Sequence, residues 1–280
     1  MDDDACNKLA RLDLSRCGLD GRAVASVIHY LQNGVDGKRE CLKIFKISMK
    51  DDPFFDPASS SNLCQALKVS TPNLMSLGFY KVMFDEEGIG LLAEALRSSV
   101  LKLEDLRFCA CSLGTVKDEP PTPAAVVRRG AMAEVLEALA QSKAERVAGG
   151  GPKGLTKFEF SECKTDSEGV VEVIAEHIKH GALVRVQHLD LHGINLTDKL
   201  LGSIIKAFGN HQVQYLPLKS FLISNNALEA AGVGELMQGM SRQVGTGGYT
   251  RLSEVVALDL SNNGQVSKQG YRAEDCSHEW

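Results

Sequence analysis

The stretch LARLDLSRC at residues 9–17 sets apolar side chains at Leu9, Leu12 and Leu14, and the same frame returns as VVALDLSNN at residues 255–263. Between them the template apolar-x-x-apolar-x-apolar-x-x-(Asn, Cys or apolar) recurs six times. Those copies are LKIFKISMK from Leu42, NLMSLGFYKV anchored at Leu74, LEDLRFCAC from Leu103, LTKFEFSEC from Leu155, VQHLDLHGI from Val186 and LKSFLISNN from Leu218. Successive anchors lie 33, 32, 29, 52, 31, 32 and 37 residues apart, so one period dominates and the 52 marks an insertion. A fixed period of this length decides a fold before any single motif does.

A second pattern runs in step with the first. Counted from each anchor, positions +15, +18, +19 and +22 are spaced as one face of a helix. They read Val24, Val27, Ile28, Leu31 in the first repeat and Ile89, Leu92, Ala93, Leu96 in the third. The sixth gives Leu201, Ile204, Ile205, Phe208 and the seventh Val233, Leu236, Met237, Met240. The fifth gives Val170, Val173, Ile174 and then His177, while the fourth stripe is displaced to Met132, Val135, Leu136 and Leu139.

Each unit therefore reads as a short strand, a turn, a helix and a return loop. Such a unit cannot bury its apolar face alone, so neighbours must stack into one continuous core. Because every return passes through a helix, the strands run parallel and the crossovers are expected to be right-handed. The expected fold is a right-handed α/β solenoid of about eight strand-helix repeats, with a parallel sheet on the concave face and helices on the convex face. Repeats begin near residues 9, 42, 74, 103, 155, 186, 218 and 255 of a single domain spanning 1–280.

These residues resemble the leucine-rich repeat family, and the unit length of about 30 with a full helix resembles its ribonuclease-inhibitor-like subclass. The likeness is strongest in LARLDLSRCGLDGRAV, LISNNALEAAGVGEL and VVALDLSNN. It implies that Cys17, Asn226 and Asn263, with Cys111 and Cys163, cap the loop after the strand from within the core. Lys50, Val82 and Ile194 depart from the pattern at that position.

The remaining composition excludes several function classes. The 280 residues carry 31 Lys plus Arg against 36 Asp plus Glu, a formal charge of −5, with no basic stripe to neutralise phosphates, so no nucleic-acid partner is expected. No run approaches the ~18 apolar residues of a membrane span, and MDDDACNK lacks the basic start of a signal peptide. No membrane partner is expected, and the implied location is cytoplasmic, the cytoskeleton included. The eight cysteines are scattered, with no C-x-x-C pair, and read as free thiols.

Two irregular stretches stand out. GTVKDEPPTPAAVVRRG at 114–130 carries Pro120, Pro121 and Pro123 and is expected to leave the solenoid as a loop. DDPFFDPASS at 51–60 sets Phe54 and Phe55 between prolines and reads as a loop plugging the repeat edge. The glycine-rich AGGGPKG at 148–154 precedes a strand, the reverse of the order a phosphate loop needs, and VGTGGYT at 244–250 lacks the Lys-Ser/Thr pair. Both read as flexible connections.

In each strand the residues at +2, +4 and +6 alternate with the buried ones and face the inside of the arc. On the first four strands Arg11, Lys46 and Arg107 stand against Asp13 and Asp105, with Tyr80 between, for a sum of +1. On the last four, Lys157 stands against Glu159, Asp190 and Asp259, with His188 and His192, for −2. Adding Arg16, Lys81 and Glu162 at +7 sharpens the asymmetry to +3 and −3. Such a surface suits a protein partner with its own charge asymmetry. His188 and His192 are about 13 Å apart along the strand, too far to share one zinc, so neither a metal nor another cofactor is expected.

The expected function is a non-catalytic protein-interaction scaffold using this face, with no catalytic residue assigned. Repeat ends lacking polar caps suggest cover by another subunit, as in a structural component of a larger assembly. The enzymatic alternative resembles the Ran GTPase-activating proteins, built on the same repeat subclass. Arg22 or Arg39 would supply their loop arginine, but the surrounding residues do not match, nor is DCSHEW an acidic tail.

Overall fold

Strand β1 (Arg11–Leu19) begins two residues after the first anchor, and every later repeat keeps that offset: β2 (Ile44–Met49), β3 (Ser76–Tyr80), β4 (Asp105–Cys109), β5 (Lys157–Ser161), β6 (His188–Asp190), β7 (Ser220–Leu222) and β8 (Ala257–Asp259). The structure, a computed structural model, describes residues 8–33, 41–49, 58–70, 73–84, 86–97, 103–113, 132–139, 155–163, 167–180, 183, 185–209, 218–241, 243–244, 248–249 and 251–264. The eight strands form one parallel sheet in sequence order.

Helices return the chain between strands: α1 (Gly21–Gln32), α2 (Ala58–Ser70), α3 (Glu86–Arg97), α4 over 132–139, α5 (Ser167–Lys179), α6 (Asp198–Phe208) and α7 (Ala230–Ser241). Helix α1 packs on α2, α2 on α3, α5 on α6 and α6 on α7. Asp20 caps α1 by accepting from the Ala23 amide at 2.9 Å.

The core is one elongated row. Leu12 stands opposite Phe45, then Leu77, Leu106, Phe158, Leu189, Phe221 and Leu258 follow strand by strand. The six inner members are buried and the two end members only partly so. A second row turns aromatic in its middle: the Phe79 and Phe108 rings stack at 5.7 Å between centroids, and Phe108 meets Phe160 edge-on at 6.3 Å. Such pairs add about 0.5–1.5 kcal/mol each beyond the area they bury.

Each strand ends in a turn that also reaches the neighbouring repeat. Lys81, Ala110, Glu162, Gly193, Asn225 and Asn262, all at +7, have φ of 57°, 53°, 52°, 64°, 55° and 56°. The first five donate their amides at 2.8–3.0 Å to the carbonyl at +6 of the following repeat. The next side chain, at +8, points inward and reaches back. The Cys111 thiol donates to Phe79 O at 3.3 Å, Cys163 to Phe108 O at 3.5 Å, Asn226 to Leu191 O at 2.9 Å and Asn263 to Ile223 O at 3.1 Å. In every case the acceptor is the +5 carbonyl of the preceding repeat. Asn226 also accepts from the Ile194 and Leu196 amides at 3.0 and 2.9 Å.

The expected loop-capping role therefore holds for Cys111, Cys163, Asn226 and Asn263 but not for Cys17. Cys17 is exposed, because β1 runs on to Leu19 and, among the described residues, no preceding strand offers a carbonyl for a capping side chain to satisfy. Val82 and Ile194 are buried and follow left-handed Lys81 and Gly193, so the third and sixth repeats keep the turn geometry without a polar cap. Lys50 lies outside the described residues.

Three helical expectations shift. Met237 is 36% exposed; α7 instead buries Gly232, Val233, Leu236 and Gly239, and a Cβ on Gly239 would stand 3.0 Å from Ile205, so the glycines let α7 approach α6 closely. In α5 the buried face is Val170, Val171, Ile174 and Ile178, leaving His177 half-buried at its edge. Residues 58–60, expected in a loop, open α2. Phe54, Phe55, the insertion 114–130 and AGGGPKG lie outside the described residues. VGTGGYT contributes Val244 and Gly248–Tyr249 to a two-stranded antiparallel ribbon.

Two substitutions test the turn. Asn226→Ala strands buried amides and carbonyls on two repeats and should lower unfolding free energy by about 3 kcal/mol. Ala110→Gly relieves a left-handed alanine and should raise it by about 0.5–1 kcal/mol. Urea titrations followed by circular dichroism measure both, and an Asn226→Ala chain as stable as the parent would refute the capping role.

Candidate functional site

No described helix or strand packs on the face of the sheet opposite the Leu12–Leu258 row, and the +4 row on that bare face is set by strand pairing: Asp13, Lys46, Gly78, Arg107, Glu159, Asp190, Leu222 and Asp259 stand on successive strands. Adjacent members are separated by about 4.8 Å of sheet. The charged residues expected on this face thus occupy one continuous line and its flanks.

Arg107 is the centre of the densest cluster. Its guanidinium grips Asp105 through Nε at 2.8 Å and Nη2 at 2.8 Å, while Nη1 lies 3.7 Å from Glu159. That bidentate grip raises the arginine's pKa, with Asp105 the main cause. Ser76 donates at 3.1 Å to Asp105 Oδ2, the oxygen that Nη2 also holds. Tyr80, two residues further along β3, lies across Gly78, where an added Cβ would stand 3.0 Å from its ring and 3.3 Å from the Lys46 stem. The missing side chain at Gly78 therefore makes room for a flat aromatic surface between Lys46 and Arg107. Burial pushes the Tyr80 hydroxyl's pKa up.

Glu159 is the least comfortable member. Burial raises its pKa and the neighbouring Asp190 carboxylate adds to the rise, outweighing the Ser161 hydroxyl at 2.9 Å and the distant edge of Arg107. Asp190 itself accepts from His192 Nδ1 at 2.8 Å and from the His192 amide at 3.1 Å. His188 is pushed down by burial and by Lys157. Together these side chains border a depression of about 170 Å³ whose two cations, Arg107 and Lys157, face three carboxylates, Asp105, Glu159 and Asp190.

One device was invisible to the alternation argument. Where +4 is acidic and +6 is Ser or His, the carboxylate is held by its own strand: Asp13 by Ser15 at 2.6 Å, Glu159 by Ser161, Asp190 by His192 and Asp259 by the Ser261 amide at 2.9 Å. The signal stands in the sequence as DLS, EFS, DLH and DLS. Ser15 and then Arg11 hold Asp13 at a pKa of about 2, and Ser261 lowers that of Asp259.

The structure brings Tyr80, Asp105, Arg107, Lys157, Glu159, His188, Asp190 and His192 into one patch. Arg11, Asp13 and Lys46 sit toward the β1 edge, and Asp259 lies at the other end. Lys81 belongs to the left-handed turn on the rim, and Arg16 to the continued strand β1. Cys109 is half-buried beside Ser161, and burial raises its thiol's pKa, which disfavours the nucleophilic thiolate. Among the described residues no group of three or more His, Cys, Asp or Glu is placed to hold a metal ion, and no helix is long and apolar enough to cross a membrane.

Parallel strands in strict chain order, helical returns and an inward cap after the strand give this chain the α/β-solenoid fold seen in leucine-rich repeat proteins. No family model matches it, and no curated protein matches it in sequence. Among solved structures it is similar to the leucine-rich repeat-containing protein LegL7 from Legionella pneumophila, at 14% identity over 95% of this chain and 69% of that one, with a TM-score of 0.49. The fold assignment rests on the topology of this chain.

Since Glu159 has a raised pKa in the folded state, its charge opposes folding at neutral pH, and that penalty disappears as pH falls below the ordinary carboxylate range. Glu159→Gln should therefore raise the thermal midpoint at pH 7, with the gap to the parent closing toward pH 4. A gap that is independent of pH would exclude this origin.

Proposed function

We propose that the chain is a single interaction unit over residues 1–280, of the ribonuclease-inhibitor-like kind, that acts as a non-catalytic cytoplasmic scaffold. The bare sheet face receives a folded protein partner. The observation that supports this most directly is the two-signed charged line in register along eight strands, flanked by Tyr80 and by the depression at Glu159. Its carboxylates are held by hydroxyl, amide, imidazole and guanidinium groups of the same sheet, so the pattern is in place before a partner arrives. Pre-set charges of this sort govern orientation and encounter rate more than final affinity. The contact residues under this reading are Arg11, Asp13, Lys46, Tyr80, Lys81, Asp105, Arg107, Lys157, Glu159, His188, Asp190, His192 and Asp259.

The test reverses two cations of the face that carry no structural grip. Lys46→Glu with Lys157→Glu should reduce capture of the wild-type partner about tenfold or more and leave circular dichroism unchanged, whereas Lys199→Glu on α6 should have no effect. Undiminished capture by the double variant would remove the sheet face from the interaction.

A further inference from the structure

Among the described residues the outer side of the first repeat is open. β1 is an edge strand, and no other described strand pairs with its outer side. Behind it an apolar groove of about 220 Å³ lies between β1 and α1, lined by Leu9, Leu12, Leu14, Val27 and Tyr30, with Leu9 39% exposed. The carbonyl of Ala10 faces β2, accepting from the Lys43 and Ile44 amides at 2.9 and 3.2 Å. By the alternation of a strand, the backbone groups of Arg11 and Asp13 then face outward.

We propose that this end is covered by a second copy of the chain, through antiparallel pairing of β1 with β1 about a two-fold axis at Leu12. In that register Arg11 stands opposite the partner's Asp13, and Asp13 opposite the partner's Arg11. Both pairs are on the bare face, and both use the backbone groups that point outward. Leu12 stands opposite the partner's Leu12 on the core side, so the apolar row runs through the axis and the two open grooves close on each other. Neighbouring registers are disfavoured: moving the axis to Arg11 or to Asp13 sets like charges face to face, which opposes pairing. The Arg11–Asp13 contact of 2.7 Å within one chain shows that both side chains reach along this edge.

Head-to-tail stacking on β8 is less suited. Continuing the sheet in parallel register would set Asp259 beside Asp13, and such a contact does not close. In the two-fold register at Leu12, residues 8–16 of the two copies lie opposite one another, a span of roughly 30 Å.

Sedimentation equilibrium on the full chain tests this. From about 1 to about 100 µM, the wild-type mass should rise from 30.3 kDa toward twice that value and stop. Arg11→Asp leaves two acids on the edge and Asp13→Arg two bases, so each variant alone should dimerise at least about tenfold more weakly. An equimolar mixture of the two should form a heterodimer, because both pairs between positions 11 and 13 are again of opposite sign. The mixture also controls for misfolding, since a variant that failed to fold would not be rescued by its counterpart. Four results would overturn the proposal: a wild-type chain monomeric throughout, as expected if a different protein covers this end; a dimer indifferent to both variants; a mixture that stays monomeric; or growth beyond the dimer.

Discussion

The parallel ladder holds each strand opposite the same position of its neighbour, and everything else follows from that register. Because alternate side chains face opposite ways, a slip of one residue would send Phe45, Leu77 and Leu106 to water and Lys46, Arg107 and Glu159 into the core. The apolar row thus locks the charged row. A solenoid has no other long-range order, since each repeat touches only its neighbours, and the invariance of this one offset makes a line of separate strands behave as a surface.

Much of that surface could be read from the chain. The anchors located every strand, because an apolar residue at +3 and another at +5 have only one buried side to occupy. What escaped was set by context rather than by pattern. Cys17 matches the template as well as Cys111 does, yet a cap needs a preceding carbonyl, and no described strand supplies one before β1. Met237 sits at a correct helical spacing, but Gly239 brings α7 so close to α6 that the helix presents its glycines instead. The ladder positions named the charged residues of the face. They could not show that Asp105 holds Arg107 while Glu159 is left against Asp190, which depends on rotamers and burial rather than on sequence spacing.

The electrostatics of the face are uneven for the same reason. Asp13, Asp190 and Asp259 are satisfied by hydroxyl, imidazole or amide groups two residues on, at little cost to folding. Glu159 has a hydroxyl too, but it lies deeper and its neighbour has the same sign. A position where charge is retained against the preference of the fold is one where stability and recognition pull apart, and a scaffold can carry a few such positions because its spine is long and apolar.

The inward caps give the spine a grain. Toward the C-terminal end neighbouring repeats are stitched by carboxamides, each gripping several backbone groups at once; nearer the middle the same stitch is a thiol with a single weak donor, and elsewhere it is a bare hydrocarbon. The junctions of one continuous sheet are therefore of unequal strength, and tension applied along its length would part the thiol and hydrocarbon seams before it reached the asparagines.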